Sequence, residues 1–360
     1  MKRKNFIERF IDLYLSDISL KEIELLIKQE SAEVYGYFSK DSNENTESKS
    51  KIKRILILIR NLFNTFLIKL PPSRRIFYLV ALFFFLAGYI NLNWFYLIFS
   101  FLILNTLLVF ELFDKLTLKD ELTIAKKIQK KLIPENYPKI NGYEISSAYQ
   151  SAKEISGDYY DFIENSDRTF IFVGDISGKG IPAALYMVRV QAIIRSLVSF
   201  YHNVKDLLVG LKNTFSNNLE TGFFLTVIFA SIEKDGQIKI CRAGHNPPLL
   251  YKASTNEFLE IQPKGLGIGF SDRGMFEKTL EVAELDLEKD DILFLYTDGV
   301  VEAMNKYKNQ FSLQKVKRVI ELNADKSAEI IVDKLKQNIT KFRGDAIIHD
   351  DLTMVLLKKI

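Results

Sequence analysis

The distribution of hydrophobic residues sets one long apolar segment apart from the rest of the chain. Residues 76–110 contain no charged residue, and Asn91-Leu92-Asn93 interrupts this run near its middle. A membrane-spanning helix needs about 20 apolar residues, and about 17 is near the lower limit. The pattern predicts two transmembrane helices within residues 76–112, at 76–90 and 94–112, joined by a very short turn. A buried hairpin in a soluble core is the alternative, but soluble helices normally carry a polar face.

The residues before the apolar run predict three further segments. Residues 5–15 and 20–37 place apolar residues on one helical side, which predicts a small helical region over residues 1–38. Residues 39–50 are rich in Ser, Asn, Glu, Asp and Lys and predict a flexible linker. Residues 51–75 form a basic juxtamembrane segment. Its apolar stretch, 55–70, is either an interfacial helix on anionic membrane lipid or a cytoplasmic helix packing on the first region.

Charge gives the expected orientation in the membrane. Every charged residue in 51–75 is Lys or Arg. The positive-inside rule places such a flank in the cytoplasm. Because two spans return the chain to the same side, both termini and the large C-terminal part are predicted to be cytoplasmic. The start of the chain lacks the apolar core of a cleaved signal peptide. We therefore expect a two-span protein of the cytoplasmic (inner) membrane.

A helical linker is predicted directly after the membrane run, over residues 113–136. Apolar residues recur at spacings of three and four, while lysines and acids occupy the opposite face, and Pro134 ends the pattern. The apolar positions are Leu118, Leu122, Ala125, Ile128 and Leu132. This helix either pairs with a second copy in a short parallel coiled coil, giving a homodimer, or packs on its own domain.

From residue 142 onwards the pattern changes to short strands and separate helices. Strands are predicted at 143–149, 159–163, 169–173, 224–232, 238–242, 292–296 and 352–357. Helices are predicted at 183–201, 204–218, 313–322 and 327–341, and Asp235-Gly236 predicts a hairpin turn. Because the strands cluster apart from paired helices, an α+β fold is favoured over a doubly wound sheet.

Composition excludes several kinds of site. The net charge of +4 over 360 residues is too small to indicate a nucleic-acid partner. Cys241 is the single cysteine, which excludes a disulfide framework and a thiolate metal cage. With only His202, His245 and His349, a histidine-rich zinc site is not expected.

Isolated aspartates stand at the ends of the predicted strands. They are Asp158, Asp175, Asp298 and the adjacent pair Asp350 and Asp351. A buried carboxylate is costly unless it is paired or binds a metal. Carboxylate oxygens suit Mg²⁺ and Mn²⁺, and two such ions can share a ligand and activate water against a phosphoryl group. Any one of these aspartates alone would more often be an ordinary turn residue, so only the set predicts a metal site.

Three other polar features have competing interpretations. Residues 174–180 resemble a phosphate-binding loop, but the spacing is one residue short and Gly180 stands where Ser or Thr is required. Lys179 either attracts phosphate or is a solvated lysine. His245, within Ala-Gly-His-Asn-Pro-Pro, is either a general acid or part of a turn.

Taken in order, these motifs closely resemble the bacterial metal-dependent serine/threonine protein phosphatases of type 2C, in the SpoIIE/RsbU-like branch. The resemblance extends over about residues 118–360. Residues 125–134 resemble the segment that leads into the phosphatase domain of that family. The motifs that carry it are residues 157–161, 174–184, 243–248, 266–268, 296–299 and 350–353. Ser156 departs from the pattern, because the family usually has glycine there, and Lys264 stands where a less polar residue is common.

The resemblance implies a fold, a cofactor and a set of roles. The fold is an α-β-β-α sandwich of two packed antiparallel sheets flanked by helices, over residues 137–360. The cofactor is two Mn²⁺ or Mg²⁺ ions, whose activated water attacks a phosphoserine or phosphothreonine. Asp175 would bridge both ions, with the Ile176 backbone carbonyl as a further ligand. The implied ligands also include Asp158, Asp298 and Asp350, whereas Asp351 is the less favoured member of its pair.

Three functional hypotheses follow. The first is a membrane-anchored phosphatase acting on a phosphoprotein such as an anti-sigma-factor antagonist, with the linker helix transmitting a signal. The second is a non-catalytic membrane scaffold that keeps the phosphatase fold for partner binding. Loss of the aspartates would favour this second hypothesis. The third is a hydrolase or cyclase acting on nucleotides, which a phosphopeptide assayed beside nucleotides would separate from the first.

Overall fold

A computed structural model describes residues 51–165, 168–217, 219–270 and 274–360, with side chains from residue 59 onwards. The predicted helical region 1–38 and linker 39–50 lie outside the described residues. The chain divides into two compact units, Met1–Thr117 and Leu118–Ile360. The division falls inside the predicted helical linker.

The first unit contains the predicted membrane hairpin. Helix α1 (Lys51–Lys69) is followed by α2 (Pro72–Ile90) and α3 (Trp94–Lys130). Two of these, α2 and α3, are long and apolar enough to cross a membrane. The turn between them holds Leu92 at a φ of 51°. Each predicted span therefore lies within one helix, and the predicted linker lies on the continuation of α3 as far as Lys130, where the helix ends.

Small residues join the two apolar helices. The Ser100 hydroxyl on α3 donates a hydrogen bond to the Ala81 carbonyl on α2 at 2.7 Å, and both residues are buried. A methyl group on Gly88 would lie 3.0 Å from the Leu97 side chain, so glycine permits the close approach near the turn. Large apolar side chains such as Phe83 and Trp94 face outward and are more than half exposed.

The second unit is built on two five-stranded antiparallel sheets. Sheet I has the order β1-β10-β9-β6-β7 and sheet II the order β2-β3-β4-β5-β8. The strands of sheet I are β1 (Tyr143–Gln150), β6 (Leu249–Lys252), β7 (Glu257–Glu260), β9 (Ile292–Tyr296) and β10 (Leu352–Lys359). Those of sheet II are β2 (Tyr159–Asn165), β3 (Arg168–Ile176), β4 (Leu225–Glu233), β5 (Ile238–Ala243) and β8 (Val282–Leu285).

Helices cover the outer faces of both sheets. α4 (Ile181–Leu197) and α5 (Val204–Ser216) pack on sheet II, and α8 (Leu313–Glu321) and α9 (Ala328–Arg343) lie on the side of sheet I. Two one-turn helices, α6 (Phe276–Thr279) and α7 (Asp298–Val301), lie in connections. The predicted α-β-β-α sandwich is confirmed.

The core explains why the central strands are continuously apolar. On β10, Val355 and Leu357 face the core shared with sheet II, whereas Met354 and Leu356 face the core under α8 and α9. Successive side chains of a strand point to opposite faces, so a strand buried on both faces needs apolar residues throughout.

The seven predicted strands and four predicted helices are present, with shifted ends. The Asp235-Gly236 turn joins β4 to β5, and Gly236 has a φ of 89°. The prediction missed β6, β7 and β8, which have four residues each. β7 and β8 lie at sheet edges, and each contains exposed glutamate, so their sequence lacks the apolar run that marked the others.

Candidate metal centre

The predicted ligands come from both sheets and meet where the sheets pack together. Asp158 directly precedes β2 and Asp175 lies at the end of β3, both in sheet II. Asp298 begins α7 just after β9, and Asp350 precedes β10, both in sheet I. A cavity of about 410 Å³ is lined by Asp175, Asp298 and Asp350 together with the Ile176 segment. Asp158 is buried beside it, next to Asp175.

Asp158 is oriented by two threonines. Its Oδ2 accepts hydrogen bonds from Thr353 Oγ1 at 2.6 Å and from Thr297 Oγ1 at 2.8 Å. Burial, followed by the charges of Asp175 and Asp351, holds the pKa of Asp158 well above its ordinary value. Thr297 directly precedes Asp298, and Thr353 lies two residues after Asp351. A hydroxyl residue close to each of these acids was the available signal, but the sequence prediction did not use it.

Asp175 lies among the other acids. Burial and then the charges of Asp298, Asp350 and Asp351 raise the pKa of Asp175 to about 8. Burial and Asp350 also raise the pKa of Asp298. Repulsion of this kind favours binding of a cation, which would relieve it.

The adjacent acids Asp350 and Asp351 have different partners. Asp350 faces the cavity, and its Oδ2 lies 2.7 Å from the Lys179 ammonium, which also donates to the His349 carbonyl. Asp351 instead faces the segment before β2. It accepts hydrogen bonds from Ala152 N at 2.7 Å, Ser156 Oγ at 2.6 Å and Gly157 N at 2.9 Å. Because its oxygens accept these hydrogen bonds, Asp351 holds the segment before β2 in place next to the cavity.

Ser156 links Asp351 to Asp158. While its hydroxyl donates to Asp351, the same oxygen accepts the backbone N–H of Asp158 at 3.0 Å. Its backbone exchanges two hydrogen bonds with Gln129, at 2.7 and 3.0 Å, near the end of α3. The departure from the family pattern at Ser156 therefore adds a polar contact directly behind a candidate ligand.

Asp161 has a structural partner outside the cavity. Its buried carboxylate binds the Arg195 guanidinium of α4 through two hydrogen bonds of 2.8 and 2.9 Å, and it also accepts the Tyr159 hydroxyl. Asp161 lies within β2, and these contacts anchor α4 to that strand.

Glycines at two positions allow the segments that carry the candidate ligands to pack closely against one another. A methyl group on Gly299 would lie 1.9 Å from the Asp351 carbonyl oxygen. One on Gly157 would lie 2.9 Å from the Ile176 carbonyl oxygen, the atom expected to bind metal. Side chains at these positions would separate Asp298 from Asp350, and Asp158 from Asp175.

His245 is buried at the edge of the same cavity. Its Nδ1 lies 2.7 Å from Thr226 Oγ1 and its Nε2 lies 3.1 Å from the Tyr296 carbonyl oxygen. Burial lowers the pKa of His245 to about 4, so the imidazole is neutral near pH 7.

The donor set suits hard divalent cations. Among the residues that the structure describes, no three acidic, histidine or cysteine side chains converge tightly enough to enclose one ion. Mg²⁺ usually takes only one or two carboxylates and keeps several waters, so a closed cage is not required. All-oxygen donors, buried charge and mutual repulsion fit such ions.

The two-sheet sandwich with acids at the sheet junction has the PP2C-type fold. The fold is similar to the PP2C domain of SiaA from Pseudomonas aeruginosa, with a TM-score of 0.60 and 16% identity over 69% of this chain and 98% of that one. It is also similar to a SpoIIE phosphatase-domain structure from Bacillus subtilis, with a TM-score of 0.52 and 20% identity over 61% of this chain and 64% of that one.

Sequence comparison identifies the family. Residues 165–359 match the family model of stage II sporulation protein E (SpoIIE). The chain is also 30% identical over 245 residues to the phosphoserine phosphatase RsbU of Bacillus subtilis, covering 67% of this chain and 71% of that protein. The chain therefore belongs to the SpoIIE/RsbU-like family of protein serine/threonine phosphatases.

Proposed function

We propose that this enzyme is anchored in the membrane and uses two Mn²⁺ or Mg²⁺ ions to dephosphorylate serine or threonine on a partner-switching protein. The main support is the acidic cavity, where Asp175, Asp298 and Asp350 meet. The similarity to a phosphoserine phosphatase supports the substrate class. The proposed substrate is an anti-sigma-factor antagonist or a protein of that type.

The residues take separate roles in this proposal. Asp175, between Asp158 and the sheet I acids, would bridge the ions, and the Ile176 carbonyl, Asp158, Asp298 and Asp350 would complete the ligand set. When bound, the ions would activate a water and neutralise the phosphoryl oxygens. Lys179, beside Asp350, adds positive charge where the phosphate would enter.

Dephosphorylation tests the active site directly. The full chain in lipid nanodiscs would be assayed on a phosphoserine peptide with Mn²⁺, with chelator, and on nucleotides. We expect Mn²⁺-dependent peptide turnover that falls at least about 100-fold in Asp175→Asn and Asp298→Asn. Asp333→Asn, an exposed acid on α9, is the matched control. Preferential turnover of nucleotides would favour the third hypothesis. Full activity in both Asp175→Asn and Asp298→Asn would rule out the proposed metal site.

Membrane topology can be tested with cysteine labelling. Cys241 is the single cysteine and is fully buried, so an introduced cysteine is labelled selectively. We expect Asn93→Cys, in the α2–α3 turn, to react with an impermeant maleimide on intact cells. Glu154→Cys, exposed in the phosphatase domain, should react only after lysis. The opposite pattern would reverse the proposed orientation.

Control through the linker is part of the proposal. Gln129 near the end of α3 bonds the backbone of Ser156, two residues before Asp158. One alanine inserted between Lys119 and Asp120 would rotate the preceding helix by about 100°, whereas seven residues would nearly restore its facing. We expect the single insertion to change turnover or cross-linked dimer content and the seven-residue insertion to restore both. Wild-type behaviour after the single insertion would exclude linker control.

A further inference from the structure

His245 connects the two sheets beside the metal centre. Its Nδ1 contacts Thr226 on β4 of sheet II, and its Nε2 contacts the carbonyl of Tyr296 on β9 of sheet I. Thr226 is the cross-strand partner of Asp175, and Tyr296 lies two residues before Asp298. The buried His245 side chain therefore connects Thr226, the neighbour of Asp175, to Tyr296, which lies near Asp298.

The hydrogen-bond chemistry fixes the direction of both contacts. A carbonyl oxygen only accepts, so Nε2 must carry the proton that it donates to Tyr296. In a neutral imidazole the other nitrogen is then an acceptor, and the Thr226 hydroxyl donates to Nδ1. Both ring nitrogens are thereby engaged, which leaves neither to deliver a proton to a leaving group.

The backbone of His245 is held as firmly as its ring. The Arg242 guanidinium donates to the His245 carbonyl at 2.6 Å. Gly244 has a φ of 68°, and its N–H donates to the Gly265 carbonyl at 3.0 Å. A methyl group on Gly244 would lie 2.7 Å from the backbone nitrogen of Gly267. The backbone that carries the imidazole is therefore held in place, so the ring can fix the distance between β4 and β9.

We propose that His245 is a positioning residue that sets the separation between Asp175 and Asp298, and with it the affinity for the metal ions. The inference rests on the proposed two-metal site. Groups that orient metal ligands from behind commonly change metal affinity by about 10–100-fold when they are removed. His245 acts one residue further away, through Thr226 and Tyr296, so the lower end of that range applies.

The test compares metal affinity with catalytic constants in the full chain in lipid nanodiscs. Mn²⁺ binding would be measured by titration calorimetry, and kcat and KM would be measured at saturating Mn²⁺. His245→Phe keeps a ring but removes both polar contacts. We expect its Mn²⁺ affinity to fall about tenfold, while KM for a phosphoserine peptide stays within about twofold.

Two further variants keep the test decisive if His245→Phe does not fold. His245→Gln retains an amide that can donate to Tyr296 and should lose less affinity. Thr226→Val removes the hydroxyl donor alone. Thr226→Val alone should therefore also lower Mn²⁺ affinity. Where His245→Phe folds, the double variant Thr226→Val/His245→Phe should be little weaker than His245→Phe, because the two residues act through one contact. His202→Phe changes an exposed histidine and is the matched control.

The outcomes separate this role from the alternatives. Wild-type Mn²⁺ affinity in His245→Phe, with or without a lower melting temperature, would overturn the inference and leave a structural role. If His245→Phe loses turnover of the phosphoserine peptide but keeps full turnover of p-nitrophenyl phosphate, whose leaving group needs no acid, the positioning role is overturned and His245 is a general acid. If the wild-type chain neither binds Mn²⁺ nor turns over substrate, the proposed function fails and the inference fails with it.

Discussion

At the scale of single residues, the neighbouring carboxylates of Asp350 and Asp351 should respond oppositely to neutralisation. Asp350→Asn removes a charge that repels Asp175 and Asp298, so metal-free stability should rise while Mn²⁺ affinity falls at least about tenfold. Asp351→Asn also removes a charge that repels Asp158 and Asp175, but it weakens buried hydrogen bonds to three donors, so the free energy of unfolding should fall by about 1–3 kcal/mol. Calorimetric titration and chemical denaturation measure the two effects. A reversed pattern would make Asp351 the ligand.

Ser156 offers a second test at this scale. Ser156→Ala leaves the Asp158 N–H without its acceptor and removes one donor to Asp351, and both atoms are buried. We expect a loss of about 1–2 kcal/mol in the free energy of unfolding, because an unsatisfied buried polar group is costly. Denaturant unfolding with chelator present measures this loss. Ser199→Ala, at an exposed position, should leave stability unchanged, and an equal effect in both variants would contradict the assignment.

At the scale of elements, the approach of α7 to β10 depends on Gly299. Gly299→Ala would place a methyl group 1.9 Å from the Asp351 carbonyl, so α7 must move away from β10 and carry Asp298 with it. We expect a stability loss of about 1–3 kcal/mol together with weaker Mn²⁺ binding. Gly344→Ala, at a φ of 58° with open space around it, should lower stability without changing Mn²⁺ affinity. Unfolding and metal titration of both variants decide between these outcomes.

Long strands buried on both faces are among the elements that sequence could predict. β9 and β10 are continuously apolar because each separates two cores, and that run is visible without a structure. The edge strands β7 and β8 depend on pairing with β6 and β5, which is a tertiary contact with little local signal. For the same reason the roles of Gln129 and Thr226 were not predictable, because their partners are distant in sequence.

At the scale of the whole molecule, the sheets bring together acids that are almost 200 residues apart in the chain. Sequence alone named these acids, because each stands at the end of an apolar strand. It left open the choice between Asp350, which faces the cavity, and Asp351, which binds the segment before β2. That choice depends on which groups lie next to each carboxylate, and only the packed molecule defines them.

Because these acids lie close together, metal binding and the stability of the whole molecule depend on each other. Asp175 has a pKa near 8 in the folded state and about 3.9 when unfolded, so the folded state holds more protons between those values. Stability without metal must therefore fall as pH rises from about 4 to about 8. We expect the melting temperature with chelator to fall between pH 6 and pH 8. Because metal binding requires ionised carboxylates, the increase in melting temperature caused by Mn²⁺ should grow over the same interval.

Asp175→Asn provides the control for this linkage. It removes the titrating group, so the pH dependence with chelator should flatten and the Mn²⁺-induced increase should shrink, whereas Asp333→Asn should behave as the wild type. Circular dichroism melts of the full chain in nanodiscs measure all three proteins. If Asp175→Asn keeps the wild-type slope, the acids of the cavity do not repel one another as their burial implies, and the electrostatic reason for a metal at this site is lost.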